Sequence, residues 1–185
     1  MWAEKALSLL AGSFRVAVSD GQNKEARSAM AMAATFAGMG FGNAGVHIPH
    51  ANAYPIAGRV KDFHPRDYPQ DEAMVPHGMS VALTAPEAFR FTFDACPQRH
   101  LRAARLLAPG ADEPDNLVDH LPAILTALMR DVDLPAGVSA VGYDESDIDD
   151  LVDGAMRQQR LLATAPKPVT EDDVAQIFRR SMNLW

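Results

Sequence analysis

Read for the spacing of its apolar positions, the chain is helical from end to end. Trp2, Ala6, Leu9, Leu10, Phe14 and Val18 recur at helical intervals, and Ser19-Asp20-Gly21 closes that segment. The next run, NKEARSAMAMAATFAGMG, is rich in Ala and Met. Such small or flexible side chains let a helix approach neighbours on several sides, so the pattern places it centrally. Gly38, Gly40, Gly42 and Gly45 predict its end, since each glycine weakens a helix interior. Asn43 is then expected to cap a short helix reaching about Gly58, with Pro49 tolerated in its first turns.

Residues 59–76, RVKDFHPRDYPQDEAMVP, form a charged, proline-containing loop of a length that is usually functional or mobile. From His77 the run HGMSVALTAPEAFRFTF predicts a helix bent at Pro86. Further helices are expected near 97–108, near 114–131, from Glu145 to about Met156, and from Thr170 to about Leu184. The last opens on the capping-box pattern Thr170-x-x-Asp173. No sustained alternation of β-branched residues and no hairpin dipeptide suggests a strand, and no internal repeat is visible. The fold class is all-α. The expected core joins Ala29 to Phe36, Val81, Leu83 and Phe89 with Leu121, Ile124, Leu125, Leu128, Ile148, Leu151, Ile177 and Phe178.

Composition narrows the partners. With 185 residues, 48% apolar and 22% charged, the chain can build a core that needs no covalent staples. A net charge of −7 with scattered basic residues argues against nucleic acid or an anionic membrane surface. No stretch approaches the ~20 apolar residues of a membrane span, and MWAEKALSLL lacks the basic start of a signal peptide. Cys96 is the only cysteine, which excludes an internal disulfide and a thiolate-rich zinc site and fits a reducing compartment, the cytoplasm by default. It is expected to act as a small buried hydrophobe.

Chemistry concentrates between Gly45 and Gly78, which hold His47, His50, His64 and His77 out of six histidines. His50 and Tyr54 are four apart and share one helix face, His47 lies near that face, and His77 opens the next helix. Two neutral imidazoles from adjacent helix starts can converge on one divalent ion. The alternative is satisfied histidines on half-buried faces. Pro76 and the surrounding glycines favour a site, but two histidines do not close one, because catalytic zinc or iron usually takes three or more protein ligands. His64 is assigned to the loop, and His100 and His120 to solvated faces.

The ordered set Phe36-Ala-Gly-Met-Gly-Phe-Gly-Asn-Ala-Gly-Val-His47, His50-Ala-Asn-Ala-Tyr54-Pro55 and Val75-Pro76-His77-Gly78 resembles the iron-containing alcohol dehydrogenase family. The long loop, Tyr54 and Pro97-Gln98-Arg99-His100 make it most similar to the hydroxyacid–oxoacid transhydrogenase branch, over essentially the whole chain. The resemblance implies that residues 1–185 are the C-terminal helical domain, N-terminally truncated relative to the family and lacking its α/β nucleotide-binding domain. It implies metal ligation by His50 and His77, the other two ligands (an Asp and a His four apart) lying upstream of Met1. It places Tyr54 at the substrate and makes His47 a candidate supporting residue beside the ligands. The implied cofactors are iron(II) or zinc, and NAD(P) held by the other domain. The implied partners are the N-terminal half, a small alcohol or hydroxy acid, and further copies of the chain in a homo-oligomer.

Two functions follow. One is part of an oxidoreductase that oxidises a small alcohol or a 2- or 4-hydroxy acid by hydride transfer and is inactive in isolation. The other is a non-catalytic helical module that self-associates through the face left by the other domain. The glycines of GMGFG follow a helix rather than a strand, so no dinucleotide-binding loop is expected in this chain.

Overall fold

The computed structural model describes residues 1–185 and contains helices and connecting loops but no strand. Ten α-helices follow in order: α1 (Trp2–Ser19), α2 (Lys24–Ala44), α3 (Ile48–Gly58), α4 (His77–Ala82), α5 (Ala85–Thr92), α6 (Pro97–Leu107), α7 (His120–Asp131), α8 (Ile148–Met156), α9 (Gln159–Leu162) and α10 (Glu171–Ser181). Single 3-10 turns precede α6, α7 and α8, and another spans Ser139–Val141.

The helix at the centre is α3, not α2. Ile48, Pro49, Ala51, Asn52, Ala53, Pro55 and Ile56 are all buried, so α3 is covered on nearly every side by α4, α5, α8 and α9. Its approach to α8 is close: a Cβ added at Gly154 would lie 2.7 Å from the Pro55 Cβ. Its C-terminal end is tied to α8 by Arg59, which pairs with Asp150 at 3.0 Å and Asp153 at 3.3 Å. The Tyr143 hydroxyl donates to the Ile56 carbonyl at 2.7 Å, using a carbonyl that the end of a helix leaves free. The main core gathers Ile56, Leu83, Val141, Ile148, Leu151, Val174 and Phe178.

By contrast, α1 and α2 form an antiparallel hairpin at one end of the molecule, with Trp2 stacked on Phe36 at 5.6 Å between ring centres. Only Ala26 and Ala33 of α2 are buried, while Met32, Met39 and Phe41 are exposed. The Ala/Met composition that suggested a central helix serves a single close neighbour, α1, and the expected core stretch from Ala29 to Phe36 contributes little. Salt bridges Glu4–Arg102 and Arg15–Asp131 fasten α1 to α6 and to the end of α7.

Three local expectations are corrected. Gly38, Gly40 and Gly42 lie inside α2, which continues to Ala44; Asn43 donates back to the Met39 carbonyl instead of capping α3. The chain from His77 does not bend at Pro86 but breaks into α4 and α5 at Leu83-Thr84, leaving Pro86 in the first turn of α5, where its missing N–H costs nothing. The segment from 114 becomes a helix only at Leu117. The Thr170–Asp173 capping box is present, with the Thr170 hydroxyl accepting from the Asp173 N–H at 3.2 Å.

Candidate functional site

Positive φ at Gly45 (78°) turns the chain from α2 into the segment that carries the histidines. A side chain there would be strained and would press on Thr164. Thr164 in turn donates its hydroxyl to the Val46 carbonyl at 2.6 Å, pinning the strand of backbone that leads to His47. His47 then caps α3 and Pro49 occupies its first turn, so His50 stands one turn into the helix.

His77 comes to the same place from the other side of the 59–76 loop. Val75 is buried, Pro76 caps α4, and the Ser80 hydroxyl donates back toward the Val75 and Pro76 carbonyls at 3.2 Å, so His77 opens its helix at a set position. Buried Asn52 fastens the two helices: its amide donates to the Thr84 hydroxyl, 3.3 Å, at the corner between α4 and α5. The result is that the His50 and His77 rings lie 5.5 Å apart between centres with a tilt of 59°.

That separation suits two imidazoles on one ion. With metal–nitrogen distances of about 2.0–2.1 Å, ring centres sharing a tetrahedral ion fall roughly 5–6 Å apart. Burial, and then the neighbouring His77, hold the His50 pKa below the usual histidine value, so its lone pair is free to coordinate at neutral pH. The donor set therefore fits a borderline ion such as zinc or iron(II), contributed by two residues. No group of three or more His, Cys, Asp or Glu side chains in the chain could hold a metal.

The remaining histidines separate cleanly. His47 lies beside the pair with its ring edge-on to Phe89, 5.8 Å between centres, and its buried Nδ1 has no hydrogen-bond partner. Burial, then His100 and His50, keep its pKa low. Tyr54 is one turn beyond His50 and half exposed. His64 stays in the loop, paired with Asp62 at 3.3 Å. His100 and His120 were expected on solvated faces but are buried. His100 is held between the Cys96 carbonyl at Nδ1 (3.0 Å) and the Thr92 hydroxyl at Nε2 (3.1 Å). A polar ring with both nitrogens satisfied can be buried at little cost, and local spacing does not report such partners.

Sequence reasoning did not single out Asn52, Thr84 or Thr164 as supports. Asn52 left one trace, a lone amide between Ala51 and Ala53.

The family model for the Fe-containing alcohol dehydrogenase family, C-terminal, matches residues 1–182. The chain belongs to the iron-containing alcohol dehydrogenase family. Within it, the chain is 43% identical over its whole length to the mitochondrial hydroxyacid-oxoacid transhydrogenases of Xenopus tropicalis and Homo sapiens. It spans 40% of the length of those relatives. Among solved structures, a 1,3-propanediol oxidoreductase superposes with a TM-score of 0.83 at 27% identity, covering 97% of this chain and 44% of that one. An alcohol dehydrogenase from Oenococcus oeni gives the same TM-score and identity. The all-α domain and the family resemblance drawn from the motifs both stand on these matches, and no helix is long and apolar enough to cross a membrane.

Proposed function

We propose that the chain is the metal- and substrate-binding part of an oxidoreductase that oxidises a small alcohol or hydroxy acid, completed by an N-terminal cofactor-binding part. The observation that carries this is the convergence of His50 and His77 across the 59–76 loop, in a domain of this family. Iron(II) or zinc at these residues would supply Lewis-acid activation of a C–O bond, and NAD(P) on the other part would supply the hydride acceptor. His50 and His77 hold two positions of the ion. Tyr54, one turn along the same face, orients the substrate or passes its hydroxyl proton outward. His47 and Phe89 line the space beside His50. In isolation the chain is expected to be inactive.

The single cysteine suits a reducing compartment. The cytoplasm expected from composition is one such place; the transhydrogenase relatives are named as mitochondrial.

The test is co-expression with the N-terminal half of a transhydrogenase relative. Metal-dependent oxidation of a small hydroxy acid is expected, with His50→Ala and His77→Ala each abolishing it by unseating the ion. A complex that loads metal and keeps full activity with His50→Ala would refute the assignment.

A second reading, a self-associating helical module, is favoured by the exposed Met32, Met39 and Phe41 along α2. It would be upheld by a stable homo-oligomer that gives no turnover under any complementation. The homo-oligomer itself is compatible with both readings.

A further inference from the structure

A cavity of about 340 Å³ opens between α5, α7 and the end of α10. It shares no lining residue with the space beside His50, so it is a separate site. Its volume lies within the range of roughly 300–1,000 Å³ typical of small-molecule sites.

The charge on its lining runs against that of the chain, whose net charge is −7. Arg90 from α5, Arg130 from α7 and Arg180 from α10 face a single acid, Glu87. Glu87 is already neutralised: Arg90 Nε donates to both of its oxygens at 3.1 Å, while Arg90 Nη1 pairs with Asp119. Asp173 borders an adjoining recess, but its carboxylate accepts from the Thr170 backbone and hydroxyl at 2.9 and 2.7 Å. Arg179, next to Arg180 in the chain, pairs with Glu145 at 2.9 Å. Arg130 and Arg180 have no carboxylate partner. Arg130 lies over the Trp185 ring, 5.3 Å from its centre, and a guanidinium engaged by its face keeps its edge N–H donors for another acceptor. Thr126 and Asn183, also on the lining, make no side-chain hydrogen bond within the chain. Uncommitted donors from α7, α10 and the segment after it therefore border one cavity.

We infer that this cavity binds the phosphoryl group of a small phosphate monoester. A guanidinium stays charged at neutral pH, and its planar fork matches phosphate oxygens. A carboxylate offers two oxygens and is satisfied by one fork. A phosphoryl group offers three oxygens and a charge of about −1.5 to −2 at pH 7, so it can use both arginines and still accept from Thr126 or Asn183. Pro122, Ala127 and Leu184 give the organic part of the ligand an apolar wall. Both arginines are exposed, so binding should weaken as salt rises.

The test is an NMR titration of the 185-residue chain with monobutyl phosphate, inorganic phosphate and inorganic sulfate. Monobutyl phosphate should shift resonances of Thr126, Ala127 and Asn183. Inorganic phosphate should shift the same residues at higher concentration, since it lacks the part that meets Pro122 and Leu184. Arg130→Met and Arg180→Met should each weaken monobutyl phosphate roughly tenfold to hundredfold, the effect of losing one charge-assisted contact. Arg99→Met, which removes an exposed arginine of α6, should leave it unchanged. Because Arg130 and Arg180 are exposed, both variants should melt at the temperature of the parent chain. Absence of shifts at these residues would overturn the site. So would affinity for monobutyl phosphate no higher than for sulfate, or an equal effect of all three substitutions, either of which reduces the cavity to part of a diffuse positive patch. The measurement needs neither metal nor the N-terminal half, so its outcome is independent of the proposed oxidoreductase.

Discussion

His50 and His77 face each other with ring centres 5.5 Å apart, one from the first turns of α3 and the other from the first residue of α4. The 59–76 loop returns the chain to the start of α3, and buried Asn52 of α3 holds the two helices together through the Thr84 hydroxyl at the α4–α5 corner. Under the proposed function the pair is half of an ion site, already brought together by the fold.

Metal binding by this chain should consequently be weak. Two imidazoles leave the remaining positions to water, and affinity falls by orders of magnitude from that of a closed site. Cobalt(II) titration followed by visible absorption should give a shallow isotherm that His50→Ala and His77→Ala each abolish. Tight, stoichiometric loading that survives either change would place the ligands elsewhere.

The metal pair should also be dispensable for folding. His77 is exposed, so His77→Ala is expected to change stability by no more than about 0.5 kcal/mol. Leu151, 1% exposed in the main core, should cost about 2–5 kcal/mol when truncated to Ala. Leu125, which the sequence placed in the core, is only partly buried and lines a cavity between α5, α6 and α7, so it is a poorer probe. Urea denaturation of the two variants compares them directly, and equal losses would make His77 structural.

Gly154→Ala should destabilise the chain by about 1–3 kcal/mol through overpacking, since the added methyl meets the rigid Pro55 ring and the Arg59 guanidinium. Because Pro55 lies one residue from Tyr54, the same variant should disturb turnover in the complemented enzyme more than cobalt affinity. Unchanged thermal unfolding would show that α3 and α8 can separate freely.

Alkaline stability should depend on Tyr143. Burial, reinforced by Asp147, pushes its pKa up to about 12, against about 10 in an unfolded chain. Between those values the folded state keeps a proton that the unfolded state releases, so stability is full below pH 10 and declines from pH 10 towards 12. Tyr143→Phe should flatten that decline, at a cost near neutrality of about 1 kcal/mol for the lost hydrogen bond to the Ile56 carbonyl. Parallel pH curves for the two proteins would contradict the assignment.

Tyr54→Phe, in the complemented enzyme, should lower kcat without changing metal content if the phenol orients substrate. The side chain is half exposed, so stability should hold within about 0.5 kcal/mol. Loss of metal along with rate would make Tyr54 a support of the ligands.

What the sequence determined by itself was the helical class, most segment limits, the capping box at Thr170, and the histidines worth attention. Each depends on interactions within a few residues: amphipathic spacing, caps and proline positions. It did not determine which helix lies inside. Ala-rich α2 and Ala-rich α3 look alike locally, but α3 is enclosed because α8 reaches Pro55 across Gly154 and α4 meets Asn52 through Thr84. His100 passed for a surface residue because its partners, Thr92 and the Cys96 carbonyl, lie across a turn whose geometry spacing does not reveal. Arg130 and Arg180 read locally as ordinary last-turn arginines. That both stand unpaired at one cavity, while Arg90 and Arg179 are neutralised, follows from where the fold brings Glu87, Asp119 and Glu145. Local physics writes the elements into the chain, whereas burial and charge pairing depend on which distant surfaces exclude water from one another.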